Sequence, residues 1–153
     1  MKKRGATIIH VFTSLVLIII GGGIYYAYRS DTLIMFRWVE VLHLQGIIEG
    51  FRRHMSTYTP SEFTVFNLPD GLWSISYLLI IYTIWGSINR YNIIWFCFMP
   101  CIALLSEFMQ LFSFFPGRFD WWDAICYTIP LITLITTKII KKCTKKFYFQ
   151  LEQ

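Results

Sequence analysis

The sequence predicts an all-α fold: an integral membrane four-helix bundle with an extracytoplasmic amphipathic segment between the first and second spans. Three observations lead there. Hydrophobic residues make up 56% of the 153 and charged residues only 15%, whereas an ordinary soluble domain carries about a quarter charged residues. The apolar residues fall in long blocks rather than amphipathic stripes, and the mean hydropathy is +0.51. Finally, the lysines and arginines cluster at both chain ends and beside the apolar blocks, where topology signals sit. The net charge of +5 therefore does not point to nucleic acid. The partner it implies is the lipid bilayer.

The first block, residues 6–28 within "MKKRGATIIHVFTSLVLIIIGGGIYYAYR", would be roughly 34 Å long as a helix, enough for a hydrocarbon core of about 30 Å. A cleaved signal peptide would have a shorter apolar core and an A-x-A-like site. "GGGIYYAYRS" offers no such site, and Tyr25, Tyr26 and Tyr28 fit an interfacial aromatic belt. A retained span is expected.

Between Arg29 and Pro69 the chain is mixed. "TLIMFRWVEVLHLQGIIEGFRRH" interleaves Leu33, Phe36, Val39 and Ile47 with Arg37, Glu40, Glu49, Arg52 and Arg53, the pattern of a helix lying on a membrane surface. "STYTPSEF" reads as a loop. A second span is expected at 72–88, with Pro69 in the opening turn. A third is expected at 93–112, kinked by Pro100. The fourth, at 123–140, ends in "KIIKKCTKK". No repeat or low-complexity linker divides the chain, so residues 1–153 form one membrane domain.

The cysteines make no framework. Cys97 and Cys101 share a helix face as small hydrophobes, Cys126 opens the last block and Cys143 lies in the basic tail. A zinc site needs closer clustering. No metal or cofactor is expected.

The positive-inside rule places "KKR", Arg90 and the basic tail in the cytoplasm, with both termini inside. The polar residues of "SEFMQLFSFFPGRFDWWDAICY" then gather at the outer face. Glu107 and Gln110, three apart, share a helix face. An ionised carboxylate in a span needs a partner, and Arg118 is the candidate, its planar fork suited to a carboxylate. Asp120 and Asp123 frame the start of the last helix and Asp70 the start of the second, where carboxylates meet free N–H groups. The plain alternative is structural: Asp120 a helix cap, Glu107 with Arg118 an inter-helix ion pair, and Trp73, Trp121 and Trp122 interface anchors. The expected ligand-binding set is Asp70, Glu107, Gln110, Arg118, Asp120 and Asp123, around a wet pocket open to the outside.

The pattern E-x-x-Q-x-F…PGR-x-x-D-x-x-D, carried by Glu107, Gln110, Pro116, Gly117, Arg118, Asp120 and Asp123, resembles the signature of the VanZ-like family. These are small bacterial membrane proteins named for teicoplanin resistance. An Asp-Lys-x-x-His motif of that family keeps Asp70, with Gly71 in place of the Lys and Ser74 in place of the His. Tyr127 stands where an Asn is usual, which resembles a related uncharacterised group. The resemblance spans about residues 70–140. It implies a multi-pass protein of the bacterial cytoplasmic membrane with an envelope ligand such as a glycopeptide, a lipid-linked precursor or a phospholipid headgroup.

Two other classes compete with that reading. An enzyme would use one of the carboxylates as acid or base, but His10, His43 and His54 are scattered and no serine-centred triad supports it. A non-catalytic subunit of a larger membrane complex would pack through close helix contacts, which Gly21, Gly22 and Gly23 permit.

Overall fold

The structure, a computed structural model, describes residues 2–114 and 117–151. Among them are seven helices and no strand: α1 (Lys2–Tyr28), α2 (Ile34–Val41), α3 (Gln45–Met55), α4 (Glu62–Phe66), α5 (Leu68–Trp85), α6 (Ile93–Leu111) and α7 (Trp121–Leu151). Pro116 lies outside the described residues. Three segments are long and apolar enough to cross a membrane: Gly5–Tyr28, Ile93–Leu111 and Trp121–Ile140. They leave large apolar side chains such as Phe12, Ile19, Ile94, Phe98 and Ile129 uncovered. Faces of that kind are unfavourable in water and at home in hydrocarbon. The protein is a helical membrane protein.

The expected second span is shorter than its sequence suggested. α5 has 18 residues, opens on Pro69 and Asp70, and stops at Trp85 because Gly86 adopts the left-handed conformation (φ 67°) that ends a helix. Residues 87 and 88 therefore do not extend it, and α5 is not among the three membrane-length segments. α1 begins four residues before the apolar block, α6 ends at Leu111, and α7 begins at Trp121 and continues to Leu151. α6 is continuous through the buried Pro100. The Tyr77 hydroxyl donates to the carbonyl of Trp95, in the stretch where proline removes a backbone donor.

α5 is nevertheless the centre of the packing, touching α1, α4, α6 and α7. It runs antiparallel to α1. Ser76 of α5 donates to the carbonyl of Ser14 at 2.9 Å, a buried bond between small residues. Higher up, the Trp73 ring edge fits against Gly21, where an added Cβ would lie 2.6 Å from Nε1. Of the three consecutive glycines only Gly21 makes such a close approach. α7 runs alongside α5 in the same direction, with Gly71 against Cys126 and Ser74 donating to the carbonyl of Tyr127 at 3.4 Å. Asn89 and Asn92 build the short turn into α6: each side-chain oxygen accepts backbone N–H groups, and the Asn92 amide donates to Ser87 at 2.7 Å. At this end His10 also finds a neighbour, the Tyr82 ring at 5.8 Å, and Lys138 donates to the Tyr82 hydroxyl.

The amphipathic segment is not one helix but two, α2 and α3, broken at His43 (φ 55°). The stretch read as a loop contains α4, started by Ser61, whose hydroxyl accepts from the Thr64 N–H. α2 buries Phe36 and Val39 and leaves Trp38 and Val41 exposed. α3 reaches back to α1: Arg52 donates at 2.9 Å to the carbonyls of both Tyr26 and Arg29, the last acceptors of that helix. The tyrosine belt takes part too, with Tyr26 donating to Met35 and Tyr28 to Met55.

Candidate functional site

Antiparallel packing of α1 on α5 and of α5 on α6 brings four helix ends together: the last turn of α1, the first of α5, the last of α6 and the first of α7. Each supplies polar side chains. Asn67, at the start of α5 and almost wholly buried, donates through its amide to Asp120 Oδ2 at 3.0 Å and to Asp123 Oδ1 at 2.7 Å. Asp120 caps α7, its Oδ1 accepting from the Trp122 N–H at 2.8 Å. The buried Glu107 accepts from Gln110 Nε2 and from the Asp120 N–H, both at 3.3 Å. Asp70 meets the Tyr127 hydroxyl and lies within hydrogen-bonding reach of Asp123.

Thus five of the six expected site residues, Asp70, Glu107, Gln110, Asp120 and Asp123, do converge. Arg118 does not join them. It is exposed, and no bond from it to Glu107 is found among the described residues. The reason lies in the turn before it. Gly117 takes φ 143°, a conformation other residues rarely adopt, and its Cα packs against Gln110, whose Oε1 would lie 2.5 Å from an added Cβ. Gln110 thereby occupies the place beside Glu107 that the arginine was expected to fill.

The cation of the site is Arg29, at the end of α1. Its guanidinium lies 5.5 Å from the Tyr25 ring and 4.9 Å from that of Phe66, and its charge acts on both Asp70 and Asp123. Arg29, Asn67 and Tyr127 are the residues that sequence reasoning left out. Helical spacing held a signal for two of them: Asn67 is three residues before Asp70, and Tyr127 four after Asp123. For Arg29 no local signal existed, because its role depends on how α1 meets α5.

Asp70 lies in the first turn of α5, ahead of the apolar run that begins at Leu72. Burial, followed by the nearby Asp123 carboxylate, pushes its carboxyl up to about 7, against the opposing pull of Tyr127 and Arg29. A folded chain that holds this proton binds more protons than the unfolded one between the ordinary carboxylate value and 7. Its contribution to stability is complete below that ordinary value and is lost as pH rises through 7. The unfolding midpoint in detergent should therefore fall from pH 5 to pH 8, and Asp70→Asn should remove most of the slope. A midpoint equally steep in the variant would assign the slope to other groups.

The cluster is well satisfied. Among the described residues no buried side-chain nitrogen or oxygen lacks a hydrogen-bond partner, and no group of three acidic, histidine or cysteine side chains is arranged to hold a metal. Two apolar hollows lie away from the expected wet pocket of Asp70, Gln110, Arg118 and Asp123. One is a groove of about 250 Å³ on α6, lined in part by Cys97 and Cys101. The other lies between α1 and α5, about 340 Å³, below Trp73. No protein-family model, curated protein or solved structure matches this chain.

Proposed function

We propose that the chain is a multi-pass protein of the bacterial cytoplasmic membrane, VanZ-like in its signature. Its acidic helix-end cluster would engage a cell-envelope component from the outer side, and both termini would be cytoplasmic. The observation that carries this reading is the convergence of four carboxylates, Asp70, Glu107, Asp120 and Asp123, with Arg29 as the cation whose charge acts on Asp70 and Asp123. A site with that charge excess suits a ligand bearing an amine or other cation, and glycopeptides and aminated envelope lipids both offer one.

The test is glycopeptide tolerance. Expression in a susceptible Gram-positive host should raise teicoplanin tolerance, and Arg29→Gln and Asp123→Asn should each abolish the rise at unchanged membrane levels. Arg118→Gln is the control: its exposed side chain stands outside the cluster, so it should leave the rise intact. No tolerance from the intact protein would remove the glycopeptide role.

A second reading, a non-catalytic helical subunit, is favoured by one observation: the buried polar atoms of the cluster answer one another. In that case the protein would purify with a stoichiometric partner, and Asp123→Asn would not alter tolerance.

A further inference from the structure

The groove between α1 and α5 starts one helical turn from the polar cluster. Its lining includes Trp73, Tyr77 and Ile80 of α5 and Ile18 of α1, with Met35 of α2 beside them. On α5, residues 70, 73, 77 and 80 succeed one another by three or four, so Asp70 continues the groove-lining stripe one turn higher. On α1 the positions 18, 21, 25 and 29 do the same and end at Arg29. Contacts tie the two stripes together: Gly21 against the Trp73 ring edge, and the Tyr25 ring 5.7 Å from the Trp73 ring. The groove thus begins at Trp73, one turn below Asp70, and runs about 10 Å along α5 to Ile80.

We propose that this groove seats one acyl chain of an amine-bearing phospholipid, with its phosphate at Arg29 and its ammonium at Asp70. The inference rests on the reading of the cluster as a ligand site and names the ligand's class. Charge complementarity selects it. Arg29 has the Tyr25 hydroxyl as a partner, which leaves donors of its five-donor fork for a phosphate. The surrounding carboxylates outnumber that one cation and favour a second positive charge. A primary ammonium offers three N–H donors to Asp70, whereas a quaternary choline offers none and a glycerol headgroup carries no cation. The apolar lining excludes the sugar or peptide part of any larger ligand and accepts methylenes. At about 340 Å³ the hollow falls within the usual range of ligand pockets.

Native mass spectrometry of the detergent-solubilised protein tests this. Phosphatidylethanolamine, phosphatidylcholine and phosphatidylglycerol with identical acyl chains are offered in turn. One phosphatidylethanolamine should be retained about tenfold more strongly than the other two, the difference expected for one charge-assisted contact. Ile18→Trp, which fills the groove, should lose all three lipids. Asp70→Asn should keep the lipid but level the three headgroups. Equal retention of all three by the native protein, or retention unaffected by Ile18→Trp, overturns the proposal. If retention fails while the intact protein still raises teicoplanin tolerance, the lipid site falls and the reading of the cluster stands. Selective retention without tolerance supports the lipid site and removes the glycopeptide role alone.

Discussion

Asn67→Leu is expected to unfold the helix-end cluster more severely than any other single substitution in it. The Asn67 amide donates to two carboxylates on α7 at once, and its own position is nearly solvent-free. Each hydrogen bond to a charged acceptor contributes about 1.5–3 kcal/mol. Losing both leaves Asp120 and Asp123 facing one another without a shared donor, so a cost of about 3–5 kcal/mol is expected. The measurement is the unfolding midpoint in detergent or in an SDS titration. A paired exchange checks the mechanism: Asn67→Asp alone adds another acid and should be equally harmful, but Asn67→Asp with Asp123→Asn restores a donor and an acceptor and should regain at least half of the loss. If the double variant is as unstable as the single one, the bond across α5 and α7 is not what Asn67 contributes.

Gly21→Ala should give the next largest loss, about 1–3 kcal/mol, the usual range for overpacking a well-filled contact. The new methyl would fall 2.6 Å from Trp73 Nε1, and the indole ring also packs against Tyr25, with 5.7 Å between ring centroids. It has little freedom to yield. Gly22→Ala, with nothing within 4 Å of its added Cβ, should be neutral or slightly stabilising, which makes it the internal control. Combining Gly21→Ala with Trp73→Ala should cost less than the sum of the two, since the second change removes the obstacle to the first.

The helical class and the approximate places of the long helices could be read from apolar blocks, because in a membrane chain length and hydropathy are nearly the whole of the local signal. The second span is where this failed. Ser87 and Ile88 continue the polar-poor run beyond Trp85, and only the left-handed turn at Gly86 shows that the helix has ended. The candidate site was legible where its members share a helix, as Glu107 and Gln110 do. It was not legible where the choice of partner depended on packing. Arg118 was the nearest arginine to Glu107 in sequence, yet the backbone at Gly117 brings Gln110 in instead, and Arg29, far away in the chain, supplies the charge. Spacing tied Asn67 to Asp70, three residues on, but said nothing of Asp120 and Asp123, to which its amide donates.

Arg52 sets a condition on the order of events during synthesis. The carbonyls it caps belong to Tyr26 and Arg29, and the bond to Arg29 spans 23 positions of chain. When α1 first leaves the ribosome its final turn has no such partner, and its end must stay hydrated or frayed. Only after the α2–α3 segment has followed and folded back onto the same side can those carbonyls exchange water for the Arg52 guanidinium. Because Arg29 itself leaves this turn to serve Asp70 and Asp123, the charge balance of the cluster waits on the same step. The first helix to be made is thus completed by the third, and the last helix receives its counter-charge from the first.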